Sequence, residues 1–108
     1  MDRTAAREAA VGSAVKFLEQ VRENGYRIRK AWLFGSYAGD EFREDSDVDV
    51  AIVLAGQAEP NIDVQQKLMR LAAHFFDVRI EPHPFGESDL EDGHPFLERI
   101  QRTGILLT

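Results

Sequence analysis

The stretch that most restricts this chain is Ser46 to Leu54, read Ser-Asp-Val-Asp-Val-Ala-Ile-Val-Leu, which follows an apolar run ending in Gly35-Ser36. Period-two alternation puts Val48, Val50, Ile52 and Leu54 on one face of a strand, with Asp47 and Asp49 on the other. Two carboxylates two positions apart on a strand project side by side from a rigid support. Alternation alone also allows an ordinary solvated face, but such a pair is a good way to hold a divalent cation.

The preceding run, residues 28–34, predicts a first strand, and Gly35-Ser36 predicts a sharp turn in which Ser36 caps a short helical turn. Unpaired backbone N–H groups at such a turn point out of the sheet and suit phosphate oxygens. A phosphate cradle close to paired carboxylates implies a metal-bound nucleoside triphosphate. A calcium loop starting at Asp45 is rejected, because its sixth and twelfth positions are Val50 and Gly56 rather than glycine and glutamate.

The remaining elements read in order. A helix is predicted over residues 4–24, with Ala10, Ala14, Phe17, Leu18 and Val21 as its apolar stripe and Asn24-Gly25 as its stop. Asn61 caps a helix over residues 62–76, whose buried stripe is Val64, Leu68, Leu71, Ala72 and Phe75. A third strand over residues 77–83 sends Val78 and Ile80 to the core and is ended by Pro82 and Pro84. Asp77, Arg79 and Glu81 share its other face. Ser88 and Glu91 suggest a capped helical turn, residues 95–102 a last helix with Phe96 and Ile100 facing inward, and residues 105–107 an apolar tail. Trp32 reads as a core or interface residue. The order predicts an α/β or α+β fold, a small mixed β-sheet flanked by helices, in one domain over residues 1–108.

Composition narrows the function. Without cysteine, neither a disulfide framework nor a thiolate metal site is possible. No apolar run approaches a membrane span and no signal-peptide pattern opens the chain, so the expected location is cytoplasmic. At a net charge of −6, with Arg27, Arg29 and Lys30 as the one local basic cluster, a long nucleic-acid substrate is disfavoured.

Gly35-Ser36, ten intervening residues and Asp47-x-Asp49 resemble the signature of the DNA polymerase beta-type nucleotidyltransferase superfamily. The short chain is similar to its minimal nucleotidyltransferase (MNT) branch. That resemblance implies the nucleotidyltransferase fold and transfer of an NMP, AMP from ATP, with two Mg²⁺ ions in the active complex. It implies Asp47 and Asp49 as catalytic metal ligands and Gly35 and Ser36 as the nucleotide-binding turn. A third carboxylate is expected from a later strand: Asp77 first, Glu81 as the alternative. Arg79 between them reads equally as an ion-pair partner or as a triphosphate contact.

The resemblance further implies an acceptor tyrosine on a helical HEPN-type partner protein in a toxin–antitoxin pair, or a homodimer. A catalytically weakened binding module acting by contact is the alternative reading. An antibiotic-modifying transferase is disfavoured, since such enzymes carry a second domain for the acceptor. The chain departs from the branch at one point: where Gly-Ser-x-Ala-Arg-Gly is common, it reads Gly-Ser-Tyr-Ala-Gly39-Asp40. An active enzyme then needs its phosphate-facing charge from another cation, such as Arg43 or Arg79.

Overall fold

Helix α1, Arg3–Glu23, starts where the Asp2 carboxylate accepts the Thr4 N–H at 3.0 Å and lays the predicted stripe onto the core. Ala10, Ala14, Phe17, Leu18 and Val21 are all buried. Burial of each larger member contributes about 1.5–3 kcal/mol. The computed structural model describes residues 2–39, 42–43, 46–56 and 60–108, so Asp40 of the sequence departure lies outside the described residues.

Strand β1, Ile28–Phe34, runs into a 3-10 turn, Gly35–Ala38, and strand β2, Val48–Leu54, returns antiparallel to it. Helix α2, Ile62–Ala72, is capped by Asn61, whose side-chain oxygen accepts the Val64 N–H at 3.0 Å. It stops before the predicted residue 76, leaving Phe75 partly buried against the core and Phe76 exposed.

Strand β3, Ile80–Gly86, pairs parallel with β2. It therefore begins three residues later than the sequence suggests and runs through both prolines instead of ending at them. The sheet order β3-β2-β1-β4 explains this. An edge strand tolerates prolines that turn their missing donors to the open side, and Pro82 and Pro84, two apart, share one side.

Helix α3, Glu87–Glu91, is capped from Gly86, whose N–H is accepted by Asp89 at 2.9 Å, rather than by the predicted Ser88-Glu91 box. Helix α4, Pro95–Thr103, buries Leu97 and Ile100, whereas Phe96, expected inward, is partly exposed and packs on Phe34. The apolar tail forms β4, Ile105–Leu106, antiparallel to β1.

The sheet is covered on both faces. Ala31, Leu33, Val48, Val50, Ile52 and Leu54 pack with α1 and α2. Trp32, Ala51, Val53 and Phe85 pack with Leu97 and Ile100 of α4. Asp49 belongs to this second face. It stands at the end of a stripe that is apolar further along β2, so its carboxylate lies where the cover of α4 runs out.

Candidate functional site

Strand register assembles the site. Asp49 is opposite Phe34 of β1 on one side and Glu81 of β3 on the other. Paired residues point to the same face, so the Gly35 turn that follows Phe34 is delivered directly beside the Asp49 carboxylate. Gly35 has φ +78°, and a Cβ built on it would run into the Asp49 carboxylate, lying 3.2 Å from Cγ. The glycine is required twice over, by its backbone angle and by its neighbour.

His83 follows Glu81 by two and therefore shares its face. Its Nε2 lies 3.3 Å from Asp49 Oδ1, and its ring meets the Phe34 ring edge-on at 4.9 Å. Asp49, Glu81 and His83 each offer a ligand atom, and these atoms lie within 4.8 Å of one another. Asp47, just before β2, is tied to the same group: Arg79 Nε lies 3.7 Å from Asp47 Oδ1 and 3.8 Å from Glu81 Oε1. Arg79 thus appears as the ion-pair partner of the carboxylates, with its own side chain largely exposed.

The carboxylates repel one another. The Glu81 carboxyl is pushed above the usual range by partial burial, then by the charges of Asp47 and Asp49 and a hydrogen bond to Asp47, against a lowering pull from Arg79. Carboxylate oxygens with one imidazole make a donor set that suits a divalent metal.

Asp77, the first choice for a third carboxylate, is exposed in the bend between α2 and β3 and does not join this group. It lines a separate cavity of about 560 Å³ with Ser46, Phe76 and Arg79. Ser36 lies within the 3-10 turn, whose N-cap is Phe34, so it does not cap the turn as the sequence suggested.

Two cations near the turn escape a reading by sequence spacing. Arg7 of α1 donates to the carbonyls of Tyr37, at 2.9 Å, and Gly39, so a helix far away in sequence holds the end of the turn. Arg99 of α4 lines a cleft of about 450 Å³ with Phe34, Gly35, Gly39 and Phe96. Neither has a local sequence signal, because each is brought in only by packing. The periodicity of α4 marks Arg99 as a solvent-facing position and no more.

Comparison with known proteins bears on the family and the fold. The family model described as Polymerase beta, Nucleotidyltransferase matches residues 16–108. A Methanocaldococcus jannaschii protein assigned as a protein adenylyltransferase is 34% identical over 59 residues, 52% of this chain and 58% of that relative's length. The matched part thus spans little more than half of that relative. A Sulfolobus solfataricus protein assigned as a nucleotidyltransferase superposes with a TM-score of 0.67 at 17% identity, covering 98% of this chain and 86% of the other. A mutant of the toxin–antitoxin pair MntA–HpeT gives a TM-score of 0.62 at 20% identity, over 91% of this chain and 72% of the matched one. At these identities the two structures speak for the fold.

Proposed function

Because this chain belongs to the Polymerase beta, Nucleotidyltransferase family, we propose that it transfers an NMP, AMP from ATP, onto a hydroxyl of a partner protein. The observation that carries this reading is the register that sets Gly35, Asp49 and Glu81 side by side across three adjoining segments. In it, Gly35 and Ser36 take the phosphates through backbone N–H groups and the Ser36 hydroxyl, and Arg99 adds charge from across the cleft.

Asp47, Asp49 and Glu81 are the carboxylates we assign to Mg²⁺, with Glu81 in the place expected of Asp77. Bound there, Mg²⁺ would neutralise charge on the nonbridging and leaving oxygens. The acceptor oxygen forms a bond to the α-phosphorus, the bond to the pyrophosphate oxygen breaks, and the hydroxyl proton passes to the neighbouring carboxylates. The chain supplies alignment and charge, the two contributions this chemistry most needs.

A protein acceptor is supported by the name of the Methanocaldococcus relative and by the MntA–HpeT pair among the similar structures. A helical HEPN-type protein is the acceptor we propose. Co-expression with a HEPN-type protein from the neighbouring gene, followed by mass spectrometry of that protein, tests it. We expect a mass gain of one or more AMP groups, lost in Asp47→Asn with Asp49→Asn. A partner that co-purifies unmodified, with the double variant protecting cells as well as wild type, would replace transfer with neutralisation by contact.

A further inference from the structure

We propose that His83 is itself a metal ligand, so that this centre favours a divalent ion that accepts imidazole nitrogen, such as Mn²⁺, over Mg²⁺. The proposal rests on the reading above for the place of the metal, and it adds a donor and a preference.

One edge of the cluster has the length of an edge of a coordination polyhedron. Ligand bonds of about 2.1 Å place neighbouring donor atoms about 3.0–3.4 Å apart in octahedral or tetrahedral arrangements. His83 Nε2 and Asp49 Oδ1 are separated by 3.3 Å, and Glu81 supplies the third atom within the 4.8 Å group. The His83 ring packs edge-on against Phe34, and its Nε2 pairs with the Asp49 carboxylate at 3.3 Å while the side chain stays 34% exposed. A nitrogen that neighbours Asp49 in the metal-free protein thus stands beside the other donors.

The backbone is stiff at this point. Glu81 and His83 alternate with Pro82 and Pro84, whose rings fix φ on both sides of the histidine. Strand periodicity then commits both donors to the Asp49 face. Mg²⁺ prefers an all-oxygen shell and gains little from imidazole, whereas the later first-row ions and, more weakly, Mn²⁺ accept it. An all-carboxylate site would lack this discrimination. Here a nitrogen has been placed where a fourth oxygen donor, or water, would otherwise stand.

The test is pulsed electron paramagnetic resonance on the full chain loaded with Mn²⁺, alone and with a non-hydrolysable ATP analogue. Wild type should show nitrogen modulation from a directly bound imidazole, and 15N-histidine labelling should shift it. His83→Gln should abolish the signal, while His74→Gln and His94→Gln keep it. Calorimetry should give Mn²⁺ about ten-fold tighter binding than Mg²⁺ in wild type, a ratio that falls to about two-fold in His83→Gln.

Mn²⁺ bound without nitrogen modulation would overturn the ligand role and leave the transferase reading intact. Failure of wild type to bind any divalent ion, even with nucleotide, would overturn both. Where His83→Gln fails to fold, the labelled signal retained in both His74→Gln and His94→Gln assigns it to His83, and its loss in either would overturn the assignment.

Discussion

At Gly35 the backbone and the site make the same demand. A side chain there must adopt φ +78° and must also displace the Asp49 carboxylate. The backbone part costs about 1–2 kcal/mol for an L residue in this region. Gly35→Ala should therefore lower stability by at least that amount in urea unfolding and should impair divalent-metal binding. Adding Asp49→Ala should recover the part due to the clash and leave the backbone part, which a double-mutant cycle reads directly.

Glu81 makes an opposite trade. A carboxyl whose folded pKa lies above its unfolded value favours folding in its protonated form. The ionised form of Glu81, facing Asp47 and Asp49, thus opposes folding. The penalty is absent below the ordinary glutamate range and fully present above the raised value. In chelator, Glu81→Gln should raise the neutral-pH melting temperature and flatten the fall in stability from acid to neutral pH. The same substitution should weaken metal binding. A melting temperature unchanged across pH in wild type would contradict the repulsion.

Among the elements, β3 marks the boundary of what the sequence discloses. The carboxylate strand and its turn are legible because their signals are local: period-two alternation in Val48–Leu54, and a glycine at the end of an apolar run. The placement of β3 depends on its being an edge strand, which no local pattern states. Reading Pro82 and Pro84 as terminators places the strand upstream, and Asp77 comes first only by resemblance to the family's later acidic position, whereas Ile80–Gly86 sets Glu81 opposite Asp49. His83 carries no sequence signal of its own, because its place beside Asp49 follows from a strand that continues to Gly86.

The tail shows the same limit, since residues 105–106 become a strand only through pairing with β1. There, Gly104 is fixed by close approach: a Cβ would lie 2.7 Å from the Ile100 carbonyl oxygen and 2.9 Å from that of Leu33. Both are backbone and cannot swing aside. Gly104→Ala should cost about 1–3 kcal/mol, as overpacking does, and force β4 off β1. Hydrogen exchange should quicken at the Leu107 and Ala31 amides, which bond across this pairing to Ala31 and Thr108. Unchanged exchange at those amides would mean that β4 tolerates the added methyl.

At the scale of the whole molecule, charge separates a protein acceptor from a nucleic-acid one. The chain carries 13 basic against 19 acidic residues, a net charge of −6. Its local basic cluster is partly spent within the fold, for Arg29 pairs with Glu87 at 3.5 Å and Glu91 at 3.6 Å. Arg79 is held by Asp47 and Glu81, and Arg7 by the carbonyls of the 3-10 turn. Arg99 in the cleft has no carboxylate partner among the described residues. A long phosphate backbone would meet a repelling field, whereas one metal-neutralised triphosphate needs only the local donors.

The two cases differ steeply in their response to salt. A protein gripping six to ten phosphates loses about 10³–10⁵ in affinity between about 50 and 200 mM salt. For this chain, calorimetry with metal-bound ATP should show a change of less than about three-fold over that range, since few counterions are released and the long-range repulsion is screened. Single-stranded RNA of about 20 nucleotides should show no binding at about 10 μM by fluorescence anisotropy at either salt. RNA binding with a steep salt slope would move the acceptor to nucleic acid. Arg99→Ala should lower ATP affinity about five-fold, the loss of about 1 kcal/mol expected for one exposed cation at a phosphate, and an unchanged affinity would remove the cleft from the nucleotide's path.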